Sequence, residues 1–93
     1  MNREQQIDFM HRRAQAMMNL IPEDWYSEYL VDESDPDLMT TISIKNYDQI
    51  YWVSFTCDTP GFSVWVPSDE SDPDPVFESN LDLDIVKFLE TLK

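Results

Sequence analysis

Ile50-Tyr51-Trp52-Val53-Ser54-Phe55-Thr56-Cys57-Asp58-Thr59-Pro60-Gly61-Phe62-Ser63-Val64-Trp65-Val66 is the stretch whose reading decides the fold. Its two arms are rich in β-branched and aromatic residues, and each alternates with period two. Between them, Thr59-Pro60-Gly61-Phe62 puts a Pro and the chain's only Gly at the central positions of a type II turn. A two-residue loop there sets Cys57 opposite Val64, Phe55 opposite Val66 and Thr56 opposite Trp65. Val53, Phe55, Cys57, Phe62, Val64 and Val66 then share a core face. Trp52, Ser54, Thr56, Ser63 and Trp65 share the other, mixed in polarity with two large aromatics, which meets a partner or lies half covered by a helix.

Upstream, Leu38 to Lys45 and Trp25 to Val31 have the same strand character and are separated by turn signals. Before them, Ile7, Met10, Ala14, Met17, Met18 and Ile21 recur at helical spacing between Glu4 and Ile21, with Pro22 as the stop. Downstream, Leu81, Ile85, Phe88, Leu89 and Leu92 form one stripe of a helix over Leu81 to Lys93, with Ser79 and Asp82 as a capping-box start. The expected fold is α+β, one domain over residues 1–93: an N-terminal helix, a four-stranded mainly antiparallel sheet and a C-terminal helix.

The loops carry the second signal. Asp-Glu-Ser-Asp-Pro-Asp occurs at Asp32 to Asp37 and again at Asp69 to Asp74, and the two runs hold eight of the 19 acidic residues. A run with no apolar residue and a Pro in fifth place cannot enter a helix or a buried strand without desolvating carboxylates, so both copies are expected as exposed loops. Residues 1–20 hold three arginines against two acids, and the remainder holds three lysines against 17 acids. With a formal net charge of −13, nucleic acid and anionic membranes are poor partners and basic protein surfaces are good ones.

Enzyme chemistry has little to work with, and no enzyme activity or cofactor is expected. His11 is the only histidine and reads as a helix-surface residue; Cys57, on the apolar side of a strand, reads as core. Zinc needs several Cys or His ligands. A calcium-dependent module built on the acidic runs lacks the Gly that a hand-type loop needs at its sixth place. A single cysteine fits a reducing compartment, and the amino terminus lacks a signal-peptide apolar run, so a cytoplasmic location is expected.

Met17-Met18-Asn19-Leu20-Ile21-Pro22-Glu23-Asp24-Trp25-Tyr26-Ser27-Glu28-Tyr29-Leu30 resembles the start of the YezG-like immunity proteins, which open with a helix, an Ile-Pro-x-x-Trp segment and an aromatic strand. Ile21, Pro22 and Trp25 match that segment, and the likeness covers about the first third of the chain. The resemblance implies an acidic antitoxin that neutralises a secreted nuclease by direct binding. It transfers no functional residue. The same motif has a structural meaning, a proline-ended helix whose following Trp packs back on the core.

These readings converge on a small acidic stoichiometric inhibitor of a basic, nucleic-acid-handling protein such as a nuclease, acting as an immunity protein or as a phage-type anti-defence DNA mimic. Asp32, Glu33, Asp35, Asp37, Asp69, Glu70, Asp72 and Asp74 would supply charge, and Trp52 and Trp65 the dry anchors. The competing reading is a secretion-type chaperone that binds an effector segment through a sheet edge or aromatic groove. Salt separates them, because electrostatic blockade weakens as salt rises and apolar binding does not.

Overall fold

The computed structural model describes residues 2–46, 49–58, 60–66 and 74–91. Helix α1 (Arg3–Asn19) starts at a reciprocal cap: the Asn2 side chain accepts from the Gln5 N–H at 2.8 Å, and the Gln5 side chain accepts from the Asn2 N–H at 3.0 Å. It ends where the Leu20 and Ile21 N–H groups fold back on Met17 and Met18 carbonyls, just ahead of Pro22. Five strands follow, β1 (Tyr26–Val31), β2 (Thr40–Asn46), β3 (Gln49–Phe55), β4 (Phe62–Trp65) and β5 (Phe77–Ser79), and then α2 (Asp82–Glu90). They form one antiparallel meander in the order β1-β2-β3-β4-β5.

Both helices pack on the same face. Met10, Ala14 and Met17 of α1 and Ile85, Val86 and Leu89 of α2 join Ile42, Ile44, Tyr51, Val53, Phe55, Phe62 and Val64 in the buried core. Phe77 of β5 stacks flat on Phe88 of α2, with ring centroids 4.5 Å apart. Trp25, after the proline-ended helix, is buried in the same cluster. Among the described residues no helix is long and apolar enough to cross a membrane.

The α+β architecture agrees with the sequence reading, and the differences have physical causes. A fifth strand, only three residues long, was not expected; three residues are too few to display alternation. The β3–β4 connection is not a two-residue turn. Trp65 pairs with Trp52 rather than Thr56, and Val64 with Val53 rather than Cys57. Every partner is displaced by four residues, an even number, so the two faces keep their expected membership. Thr56, Cys57, Asp58 and Pro60 stand outside the ladder: the Cys57 N–H bonds to the Asp37 carbonyl at 2.9 Å, Thr56 bonds to Asp58, and Arg13 takes the Pro60 carbonyl. Gly61 has no positive φ, so it does not serve a type II turn. It serves close approach, since a Cβ there would stand 3.2 Å from Asn80 Oδ1.

The capping box of the last helix is also different. Leu81 is the N-cap and makes no side-chain cap bond, while the Ser79 hydroxyl accepts from the Leu81 N–H and donates to Asp84. Leu81 is consequently exposed rather than part of the buried stripe, and Leu92 lies outside the described residues. His11 is half-buried rather than on the surface, with Nδ1 2.8 Å from the Tyr29 hydroxyl. Cys57 lies in the loop after β3, half-buried against the core.

Candidate partner-binding surfaces

The first acidic run joins β1 to β2 and is a shaped loop. The Asp32 carboxylate accepts from both the N–H and the hydroxyl of Ser34, and Asp35 Oδ1 accepts from the Asp37 N–H at 2.9 Å. These are the local turns that Asp favours. The Ser34 hydroxyl first, and its N–H second, hold the Asp32 carboxyl below the ordinary aspartate range. From α1, the Arg3 guanidinium donates to the carbonyls of Glu33 (2.7 Å), Asp35 (3.0 Å) and Pro36 (3.1 Å). The cation therefore grips the main chain. Among the described residues the ion pair is Arg12 with Asp8 on α1, and none of the four carboxylates in the loop has a cationic partner.

Leu38 closes this loop with φ +53, a left-handed conformation that costs a non-glycine residue about 1–2 kcal/mol. Its side chain is fully buried, and its N–H bonds to the Asp35 carbonyl at 3.0 Å. The left-handed step turns the chain so that Leu38 enters the core while Asp32, Glu33 and Asp37 stay exposed and Asp35 is half-buried. Nothing in the residue type announces it, because Leu is rarely chosen for positive φ.

Trp52 and Trp65 come together. They are direct cross-strand partners on the helix-free face, both half-buried, and Trp65 Nε1–H donates to Ser54 Oγ at 2.8 Å. Around them on that face lie Glu28, Thr41, Ser43 and Ser63, with Tyr26 and Leu30 exposed on β1 and Ile50 exposed on β3. Tyr26 donates to Glu28 at 3.1 Å, and that bond followed by the neighbouring charge raises the phenol's pKa.

The expected site residues that the structure describes do not merge into one patch. Asp32, Glu33, Asp35 and Asp37 lie at the end of the sheet where β1 gives way to β2. Asp74, exposed, precedes β5 at the opposite end, which is also where Trp65 ends β4. Asp69, Glu70 and Asp72 lie outside the described residues. Sequence reasoning missed Arg3, whose role depends on a contact thirty residues away, and Arg13, which lies over the rings of Phe62 (4.6 Å) and Phe55 (4.9 Å). Burial lowers the Arg13 pKa, and Asp82 acts in the opposite sense. Among the described residues no group of three or more His, Cys, Asp or Glu is placed to hold a metal ion. Comparison of the chain with protein-family models, curated proteins and solved structures gave no match.

Proposed function

We propose that the chain is a small acidic stoichiometric inhibitor that binds a basic, nucleic-acid-handling protein. The observation that carries this reading is the Asp32–Asp37 loop, whose main chain is fixed by Arg3 while its carboxylates are left without cationic partners among the described residues. Fixed anionic groups on a chain of net charge −13 imitate a phosphate backbone more closely than a floppy tail does, because less ordering entropy is lost on contact. The Trp52–Trp65 pair offers the amphipathic aromatic surface that interface anchors use. The likeness of residues 17–30 to YezG-like immunity proteins points in the same direction.

The test is capture from host lysate by wild type and by a variant with Asp32, Asp35 and Asp37 changed to Asn and Glu33 to Gln, each washed at low and high salt. A nuclease or other nucleic-acid-binding protein held by wild type at low salt, and lost by the variant, is the expected result. Retention of one partner by both proteins, unchanged by salt, overturns the reading in favour of the secretion-type chaperone.

A further inference from the structure

The two edges of the sheet are unlike. β5 has three residues and runs almost directly into α2, whereas β1 has six, with no Pro, Gly or Lys among them. The Asp32 N–H bonds to the Met39 carbonyl at 2.9 Å, the rung after Val31–Thr40. Antiparallel rungs alternate between hydrogen-bonded and non-hydrogen-bonded pairs. Leu30–Thr41, Glu28–Ser43 and Tyr26–Lys45 are therefore the bonded pairs, and the N–H and C=O groups of Ser27, Tyr29 and Val31 point away from β2. Among the described residues β1 pairs with no second strand.

Such a row is a template for another strand unless something guards it. Here the guard is charge. Glu23 and Asp24 are exposed just before β1, Glu28 is exposed in its middle, and Asp32 and Glu33 are exposed just after it. A second copy pairing antiparallel about the strand centre would set Asp32 and Glu33 of one copy against Asp24 and Glu23 of the other, with the two Glu28 side chains adjacent. Like charges placed so are destabilising. An incoming strand with Lys or Arg at its two ends meets attraction at those positions, and main-chain bonds supply the rest.

We propose that β1 is an acceptor edge for an extended segment of a basic partner, alternating polar and apolar in its centre and carrying Lys or Arg at both ends. This deepens the inhibitor reading and rests on it for the nature of the partner. The probe is a nine-residue peptide with two lysines at each end of an alternating threonine–valine centre, added to the full chain and followed by amide NMR. The amides of Ser27, Tyr29 and Val31 should gain at least about tenfold protection from exchange, as edge groups do when they enter a ladder. An equally charged peptide N-methylated at every residue of its centre should bind at least about tenfold more weakly, because neither of its edges can then donate to the ladder. Ser27→Pro removes one outward donor while leaving the bonds to β2, a substitution that edge strands accept. It should weaken the unmethylated peptide without changing the rest of the spectrum.

Equal binding of both peptides, or protection that falls elsewhere, overturns the proposal. If Ser27→Pro fails to fold, the two peptides on wild type decide alone. A basic target captured equally by wild type and by folded Ser27→Pro sinks the edge and leaves the inhibitor reading standing. Peptide addition at β1, with no nucleic-acid-handling protein captured in the loop experiment, does the reverse.

Discussion

Two loops leave the same end of the sheet, and an arginine of α1 holds each of them by main-chain carbonyls. Arg3 is exposed and reaches three carbonyls of the Asp32–Asp37 loop. Arg13 is half-buried, bonds to the Pro60 carbonyl at 2.6 Å and covers Phe55 and Phe62. In the first loop the cation gives shape to an anionic segment without neutralising it. In the second the cation's stem and plane finish the core, at the expense of some of its hydration. The same contact chemistry thus serves display in one loop and closure in the other, and burial decides which.

The largest effect in this comparison belongs to Leu38, where the displayed loop is anchored in the core. Leu38→Ala removes a fully buried side chain and should cost about 2–5 kcal/mol in urea unfolding. Leu38→Gly removes slightly more but relieves the left-handed backbone at φ +53. Glycine should therefore be the milder substitution, by some tenths to about 1 kcal/mol, reversing the usual order of Ala and Gly. Equal or greater loss with glycine would mean that no strain is held at this position.

The two arginines come next. Arg13→Met keeps the stem over Phe55 and Phe62 but loses the charge-assisted bond and the cation–ring contacts, an expected loss of about 1–3 kcal/mol. Arg3→Met should cost less than about 1 kcal/mol of global stability, because water replaces an exposed donor readily. Its signature should instead be local, faster amide exchange at Asp35 and Leu38 with the core unchanged. Identical global losses for the two variants would erase the distinction between display and closure.

How much of this was legible in the sequence follows from the range of each interaction. The helix α1, strands β1 to β4 and the partition of β3 and β4 into two faces are written in local periodicity, and the four-residue displacement of the register left the faces intact because it was even. The register itself is not legible locally, because Thr56, Cys57 and Pro60 are held by Asp58, Asp37 and Arg13, two of them distant in sequence. The pairing of Trp52 with Trp65 followed from the same correction. Exposure of the first acidic run was readable from composition. Its shape was not, because Arg3 lies thirty residues upstream and Leu38 adopts a conformation its type disfavours.

The smallest expected effect is also the most specific to the displayed loop. The folded Asp32 carboxyl has a depressed pKa, chiefly through the Ser34 hydroxyl, so the unfolded chain takes up a proton at higher pH than the folded one. That linkage makes the bond's contribution fully present above the ordinary aspartate range, near pH 4, and removes it as pH falls through the folded pKa. Ser34→Ala deletes the leading cause and should move the Asp32 titration, followed by its side-chain carboxyl resonance, upward toward the ordinary range. Wild type should be the more stable protein at neutral pH, with the difference closing below pH 4. Because the comparison is between two proteins sharing every other carboxylate, general acid destabilisation cancels. A gap that stays constant down to pH 2 would assign the Ser34 effect to the shape of the turn rather than to the charge on Asp32.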